Sequence, residues 1–146
     1  MSWVVDASVA IKWVVPEELS EHADRLLADG GELLAPDLLF VEAANALWKK
    51  TRRRELTERE ADGALNLLQT SGLVVRPSAA VIPRALQLAA ALDHPVYDCV
   101  YLALAERERL PFVTADTRIL ARSGRRRLRV RVHDLRKLSP PRVRRP

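Results

Sequence analysis

Five short apolar runs, separated by longer stretches of helical period, limit most strongly how this chain can fold. Short runs rich in β-branched and aromatic side chains are typical of strands. Strands that alternate with helices along a chain favour a parallel sheet covered by helices. We therefore expect an α/β fold. The five predicted strands are residues 3–5, 33–35, 73–75, 112–114 and 130–132.

The segment between the second and third runs has clear helical signals. Residues 38–54 have apolar side chains three or four positions apart and end in a cluster of lysines and arginines, which favours a helix that ends there. Thr57 followed by Glu60 has the pattern of a capping box, which predicts the start of another helix. In the helix predicted over residues 38–54, four apolar side chains share one face: Val41, Ala44, Leu47 and Trp48.

The length and composition fit one compact domain. The chain has 146 residues, of which 48% are hydrophobic, and such a chain buries enough surface to fold without disulfides or structural metal. We predict one domain over residues 1–138 and a short, basic, disordered tail over residues 139–146. The lone cysteine, Cys99, favours a reducing compartment. The apolar amino terminus lacks a basic leader and is too short to cross a bilayer, so we expect a cytoplasmic protein without membrane spans.

Charge is distributed unevenly along the chain. The formal net charge is +5, yet residues 117–146 contain twelve arginines or lysines and a single acid, Asp134. The remaining residues carry more acids than bases, so an acidic body is followed by a strongly basic end. Such a block favours attraction to a polyanion, most simply nucleic acid. The alternative is a solvated segment that only increases solubility.

Four acidic residues differ from the others because each is the only charge within an otherwise apolar segment. An ionised carboxylate close to a core is costly unless it is paired, hydrogen-bonded or bound to metal. The sequence offers cations beside two of the four acids but none inside the segments around the other two. We interpret all four as candidate metal ligands. They are Asp6, Glu42, Asp98 and Asp116.

The predicted fold brings these acids towards one edge of the sheet. Asp6 and Asp116 follow predicted strands, and ligands bind at the carboxyl edge of a parallel sheet. Asp98 and Glu42 fall near the amino ends of predicted helices, which can face the same edge. A pocket of carboxylates repels itself unless hard cations fill it, and Mg²⁺ and Mn²⁺ prefer carboxylate oxygens and water. Such ions activate water and orient phosphate, so we predict metal-dependent cleavage of a nucleic-acid phosphodiester.

Each acid has a purely structural alternative when it is considered alone. Asp6 and Asp116 suit helix N-caps. Asp98 suits the positive end of a helix dipole, and Glu42 on a helix can simply face water. Three polar neighbours are candidates for orienting the carboxylates or their water, although each residue type is more often structural. These neighbours are Ser8, Asn45 and Thr114.

Four segments of the sequence resemble one known family. The order and spacing found in PIN-domain ribonucleases recur here in VVDASVAIKW, FVEAANALWK, YDCVYLALAE and TADTRIL. Within that family the sequence is most similar to VapC-like toxins of bacterial toxin–antitoxin pairs. The similarity covers residues 3–133, and four ordered motifs are far more specific than any one of them.

This resemblance implies a fold, an activity and partners. The fold is a three-layer α/β/α sandwich with a mainly parallel five-stranded sheet, and the activity is that of an Mg²⁺- or Mn²⁺-dependent endoribonuclease. An RNA substrate, a cognate antitoxin protein and frequent homodimers are also implied. The metal ligands of the family correspond to the four acids already identified: Asp6, Glu42, Asp98 and Asp116.

One position departs from part of the family. Some PIN nucleases have a further acid two residues after the last of these aspartates, where this chain has Arg118. A second, fully occupied metal site is therefore less favoured. Arg118 is a candidate phosphate contact because a guanidinium can donate two hydrogen bonds to phosphate, and a solvated arginine is the alternative. Further candidates for phosphate contact are Arg125, Arg126 and Arg127, and together with Arg129 and Arg131 they can supply attraction to phosphates that weakens as salt rises.

Two other functions compete with the nuclease. A phosphatase or phosphoaspartate domain would use Asp6 as nucleophile, but Ser8 occupies the position of the second acid of its D-x-D motif. A catalytically inactive module would only bind RNA or a partner protein. The low aromatic content, 5%, favours recognition of RNA shape or a folded loop over base stacking. The histidines lack the pattern of a histidine-based ribonuclease, so we assign structural roles to His22, His94 and His133.

Overall fold

The computed structural model describes residues 1–125 and 128–138. Arg126, Arg127 and the predicted tail over residues 139–146 lie outside the described residues. Within the described ranges, no helix is long and apolar enough to cross a membrane.

The described chain forms one sheet of five parallel strands. The strands are β1 Trp3–Val5, β2 Leu33–Pro36, β3 Val74–Arg76, β4 Phe112–Thr114 and β5 Val132–Asp134. Their order across the sheet is β3-β2-β1-β4-β5, so the fully buried β1 is central. All neighbouring strands are parallel and therefore end at the same side, which we call the carboxyl edge. The prediction of a mainly parallel five-stranded sheet is confirmed.

The helices pack in two groups around this sheet. Their bounds are α1 Ala7–Val14, α2 Ser20–Ala28, α3 Leu38–Arg52, α4 Glu58–Gln69, α5 Ile82–Leu92, α6 Val96–Glu108 and α7 Thr117–Ser123. Helix α1 packs against α2, α3 and α4, whereas α5 packs against α6, which contacts β1, β2 and β4. Residues 99–105 of α6 are all buried, as expected of a helix enclosed on every side. This arrangement fits the predicted α/β/α sandwich.

Local sequence signals determine where several helices begin. Asp6 caps α1 by accepting a hydrogen bond from the backbone N–H of Val9 at 3.2 Å. Thr57 and Glu60 form the reciprocal hydrogen bonds of a capping box at the start of α4. Pro83 lies in the first turn of α5, where its missing N–H leaves no helical hydrogen bond unmade. The predicted capping box is confirmed.

Two strands begin later than the apolar pattern predicts. Strand β3 begins at Val74, opposite Leu34 of β2, and β5 begins at Val132, opposite Phe112 of β4. The shifts are one and two residues relative to the predicted ranges. Pairing with the neighbouring strand sets the register, and this pairing is not encoded in the apolar run itself.

Half of the apolar face predicted for α3 is exposed. Val41 is 68% exposed and Trp48 is 51% exposed, and of the predicted face only Leu47 is fully buried. The buried side of α3 is formed by Leu39, Ala43 and Leu47. Both stripes of this helix are apolar, and spacing alone does not tell which of them meets α1 and α4.

Candidate metal centre

Asp6 lies at the carboxyl edge, directly after β1, and is 7% exposed. Its Oδ1 accepts hydrogen bonds from the Ser8 hydroxyl at 2.6 Å and from Val9 N–H at 3.2 Å. Its Oδ2 accepts one from the hydroxyl of Thr114, the last residue of β4. Burial raises the pKa of Asp6 to about 6, although these hydrogen bonds oppose the rise. Two predicted neighbours thus orient a buried carboxylate where adjacent strands end.

Glu42 extends from the second turn of α3, and its Oε1 is buried without a hydrogen-bond partner among the described residues. The hydroxyl of Tyr101 on α6 is likewise buried and without a partner there. The two groups influence each other's pKa, yet no hydrogen bond of normal geometry joins them. Burial raises the pKa of Glu42 to about 7, and the charges of Asp98, Asp6 and Asp116 contribute to the rise. An unpaired buried acceptor is rare in native proteins and indicates a place for a ligand.

Asp98 lies in the first turn of α6, and its side chain is 15% exposed. Its Oδ2 is 2.6 Å from Nε2 of His94, whose side chain is only 6% exposed. Pro95 lies between the two residues and caps α6. The buried imidazole therefore holds the Asp98 carboxylate in one orientation. The sequence indicated only a structural role for His94, whereas the structure places it against a candidate metal ligand.

Asp116 caps α7 through contacts with Arg118. Its Oδ1 accepts a hydrogen bond from Arg118 N–H at 2.8 Å, and its Oδ2 accepts one from Arg118 Nη2 at 3.3 Å. Burial would raise the pKa of Asp116, but these hydrogen bonds and the guanidinium charge outweigh it and lower the pKa. The N–H of Asp116 donates to Thr114 Oγ1 at 3.0 Å, which links it to Asp6. Both residues are N-caps, and both lie at the carboxyl edge.

The four carboxylates form one electrostatic group, because the charges of the three aspartates all raise the pKa of Glu42. Within residues 1–125 and 128–138, however, no three acidic, histidine or cysteine side chains are positioned to hold one metal ion together. Each aspartate is instead hydrogen-bonded: Asp6 to hydroxyls, Asp98 to an imidazole and Asp116 to Arg118. The carboxylates must therefore come closer together to share a metal ion, and each can keep a hydrogen bond through an oxygen that does not bind the ion.

The donor set nevertheless fits a hard divalent cation. It supplies carboxylate oxygens, the ligands preferred by Mg²⁺ and Mn²⁺. Two of the acids, Asp6 and Glu42, have raised pKa values, so a nearby positive charge would relieve the cost of their ionisation. The buried Oε1 of Glu42 also lacks a partner in the described structure. The residues are therefore chemically suited to a cation.

A groove of about 710 Å³ gives access to Glu42. Its lining includes two cations, Lys49 and Arg118, and two apolar side chains, Val41 and Tyr97. The apolar pair is 68% and 56% exposed, so the uncovered part of α3 forms part of this groove. A polyanion that enters the groove meets positive charge beside Glu42.

Other predicted contacts are placed less closely. Asn45 lines the groove but forms no hydrogen bond with the four carboxylates in the described structure. Arg125 is exposed just beyond α7 and does not line the groove. Arg126 and Arg127, the other predicted phosphate contacts, are not among the described residues.

Sequence reasoning missed three neighbours of the site. His94 lies four residues before Asp98, but the intervening proline removed the helical context that would have suggested a contact. Tyr101 lies three residues after Asp98, a spacing that places both on neighbouring positions of one helix face. Lys49 belongs to a run of cations at the end of α3, and nothing in the sequence distinguishes it from the others.

Comparisons with known proteins concern most of the chain. The model of the PIN domain family matches residues 3–125. Ribonuclease VapC3 of Pyrobaculum aerophilum is 40% identical over 121 residues, which cover 82% of this chain and 92% of that protein.

Two crystal structures share the fold. A Pyrobaculum aerophilum protein superposes with a TM-score of 0.69 at 24% identity, covering 94% of this chain and 92% of its own. VapC20 of Mycobacterium tuberculosis, described as a sarcin–ricin loop cleaving toxin, superposes with a TM-score of 0.66 at 16% identity. The match covers 83% of this chain and 95% of the VapC20 chain. The family resemblance carried by the four motifs is confirmed, and the chain belongs to the PIN-domain family, among its VapC-like members.

Proposed function

We propose that this protein is a divalent-metal-dependent endoribonuclease and the toxin of a toxin–antitoxin pair. The observation that carries the proposal is the group of four carboxylates at one edge of the sheet, in which Glu42 keeps a buried oxygen without a described partner. Identity of 40% to a protein named as a ribonuclease supports RNA as the substrate.

In this proposal Asp6, Asp98 and Asp116 hold one Mg²⁺ or Mn²⁺, and Glu42 contacts it directly or through water. When bound, the ion supplies Lewis-acid activation of water for in-line attack on phosphorus and stabilises the leaving oxygen. The reaction then requires no side-chain nucleophile.

The chain's own groups position the reacting parts. Ser8 and Thr114 keep Asp6 between the ends of β1 and β4, and His94 keeps Asp98 in one orientation. Burial raises the pKa of Glu42 to about 7 without an ion, and a cation beside it would lower that pKa and favour the ionised carboxylate as a ligand. Such positioning is what a metal nuclease requires of its protein, because small displacements of the ligands are costly in rate.

The cations of the groove bind the substrate in this proposal. Arg118 and Lys49 line the groove together with Glu42, so phosphates flanking the cleaved bond can contact both. Arg118 also donates to Asp116, and a phosphate or metal ion would compete for these same groups.

The test is a nuclease assay on a mixture of structured RNAs with Mg²⁺, Mn²⁺ or EDTA. An Asp98→Asn variant is compared with Asp93→Asn, a matched control in which an exposed carboxylate at the end of α5 is replaced. Asp93 has a left-handed backbone, φ 51°, which asparagine also adopts. We expect cleavage that needs the ion, is lost in Asp98→Asn and persists in Asp93→Asn. Equal cleavage by all three proteins, or intact RNA under every ion condition, would contradict the proposal.

The rival functions have distinct outcomes. An inactive binding module would retain RNA affinity without cleavage in any metal. For a phosphatase, the position of the second acid is occupied by Ser8, whose hydroxyl donates to Asp6, and hydrolysis of a phosphomonoester would favour that reading.

The proposed partners can be tested separately. Co-purification with the product of an adjacent open reading frame, together with loss of nuclease activity in the complex, tests the cognate antitoxin. Light scattering tests the expected homodimer. A ribonuclease that cuts cellular RNA acts in the cytoplasm, so the cytoplasmic location stays a prediction that depends on the proposed activity.

A further inference from the structure

A second cavity lies at the opposite, amino-terminal edge of the sheet. Its volume is about 550 Å³, and its lining includes residues that directly precede strands: Ser2 before β1, Pro111 before β4 and Arg131 before β5. Among the described residues, it shares no lining residue with the groove beside Glu42. Because β1 and β4 are three residues long, the amino-terminal and carboxyl edges of the sheet are about 10 Å apart.

Three arginines line this cavity, which we call the amino-edge cavity. Arg109 ends α6, whereas Arg129 and Arg131 belong to the segment before β5. Among residues 1–125 and 128–138, no carboxylate lies within salt-bridge distance of any of these three side chains. Three exposed guanidinium groups therefore face one cavity without a described acidic partner.

The acid on the lining of this cavity is already neutralised. Glu106 accepts two hydrogen bonds from Arg84, with Nε to Oε2 at 2.8 Å and Nη2 to Oε1 at 3.2 Å. A fork of this kind satisfies both carboxylate oxygens and leaves little negative charge to attract the other arginines. The amino-edge cavity thus keeps a positive excess.

His133 forms part of the wall of the cavity, and Trp3 packs against it from outside the lining. The His133 imidazole lines it and packs edge-on against the Trp3 ring, with centroids 4.9 Å apart. Burial and the charge of Arg131 lower the pKa of His133, which is consistent with positive potential there. An adjacent cavity shares Glu106 and Arg129 with this one and adds Arg107, so the basic surface continues along α6.

We propose that the amino-edge cavity binds the phosphate backbone of RNA outside the cleavage site. This inference rests on the proposed ribonuclease function. The carboxyl edge carries four acids, which Arg118 and Lys49 of the groove offset only in part, so a second positive surface strengthens the attraction for RNA. Guanidinium groups without carboxylate partners suit phosphates, which they bind through paired hydrogen bonds. An acidic protein segment is the other polyanion that could bind this cavity. It is favoured less, because only a substrate that is cut at the acidic carboxyl edge needs a second, positive surface to hold it.

The test uses the full chain and a matched control. Arg129→Gln/Arg131→Gln removes two charges from the cavity, and Arg53→Gln/Arg59→Gln removes two from exposed positions in the α3–α4 region. Fluorescence anisotropy in EDTA measures affinity for an RNA of about 16 nucleotides across a salt series. We expect the cavity variant to bind about 5-fold more weakly per lost arginine at about 0.1 M salt, with a salt slope lower by about 0.7 per arginine. The control should bind like wild type.

Two further measurements separate binding at the cavity from damage to the fold. Arg129→Lys/Arg131→Lys keeps the charge and should recover most of the affinity, and circular dichroism checks that all variants melt alike. In Mg²⁺ the cavity variant should raise KM for the long RNA without changing kcat. A dinucleotide spans only about 7 Å, at about 3.4 Å per stacked nucleotide, so it is too short to reach both edges, and the cavity variant should cleave it as wild type does.

The outcomes distinguish this inference from the proposed function. If the cavity variant binds and cleaves RNA like the control, the inference is overturned while the nuclease stands. If wild type never cleaves RNA but the cavity variant still loses RNA affinity, the cavity is upheld and the proposed function fails. Loss of affinity for poly-glutamate with unchanged RNA affinity would assign the cavity to an acidic protein and also overturn the inference.

Discussion

Replacing Asp6 by asparagine should stabilise the ion-free protein at neutral pH. The pKa of this buried carboxyl rises from 3.8 to about 6 on folding. The folded state therefore holds the proton more tightly than the unfolded chain. As the pH rises between these two values, the free energy of unfolding falls, and above about pH 6 the loss is complete.

The structure sets the size of this effect. A rise of about two pKa units corresponds to a cost of about 3 kcal/mol at neutral pH for keeping the buried carboxylate ionised. Asparagine removes the charge and keeps an oxygen that can accept from Val9 N–H, while its amide can donate to the Thr114 hydroxyl. Some strength of the charged hydrogen bonds is lost. We therefore expect Asp6→Asn to raise the free energy of unfolding by about 1–3 kcal/mol, or Tm by roughly 3–10 °C.

Urea unfolding in EDTA, followed by circular dichroism, measures this difference at about pH 7.5 and about pH 4.5. The gain should shrink by about 2 kcal/mol at the lower pH, where Asp6 is largely protonated in the folded wild type. The exposed control Asp93→Asn should change stability by less than about 0.5 kcal/mol at either pH. An Asp6→Asn variant less stable than wild type at the higher pH, or equally stabilised at both, would refute the reasoning.

Three further predictions concern ion binding, the His94 contact and the core. Mg²⁺ should raise the Tm of wild type more at about pH 7.5 than at about pH 5.5, because the ion must displace protons from Asp6 and Glu42, whose pKa values are about 6 and 7; equal shifts in a calorimetric scan would contradict this. His94→Ala should weaken Mg²⁺ binding by roughly tenfold or more in isothermal titration, whereas His94→Gln, which can still donate to Asp98, should retain most of it. Unchanged affinity in the alanine variant would exclude the positioning role of His94. Leu102 lies in α6 and is 1% exposed, so Leu102→Ala should lower the free energy of unfolding by about 2–5 kcal/mol in urea. A loss below about 1 kcal/mol would contradict a rigidly packed core at this position, because the neighbours would then fill the space left by the leucine.

The sheet was predictable because its central strands are short apolar runs followed by polar residues. The strands around Val4 and Val113 have the predicted bounds, and each is followed by an acid within two residues. Strands β3 and β5 began later than predicted because their register depends on pairing with distant residues. The exposed face of α3 was not predictable for a related reason, since two apolar stripes compete and only tertiary packing selects one.

The candidate site was predictable only in part. The positions of Asp6 and Asp116 follow from topology, because a parallel sheet places every strand end at the same edge. The contact between His94 and Asp98 depends on how the chain turns through Pro95 into α6, which the sequence pattern does not specify. The amino-edge cavity was missed because the chain segments that form it meet only through the order of β1, β4 and β5.

The central claim is that the four carboxylates bind one divalent ion. Its most direct test is a crystal structure of the protein with Mn²⁺ at about pH 7.5, where both raised pKa values favour ionisation, using anomalous difference density to locate the ion. We predict one peak at about 2.0–2.2 Å from carboxylate oxygens of Asp6, Asp98 and Asp116, with Glu42 in direct or water-mediated contact. Absence of a peak beside these carboxylates at millimolar Mn²⁺ would contradict the account.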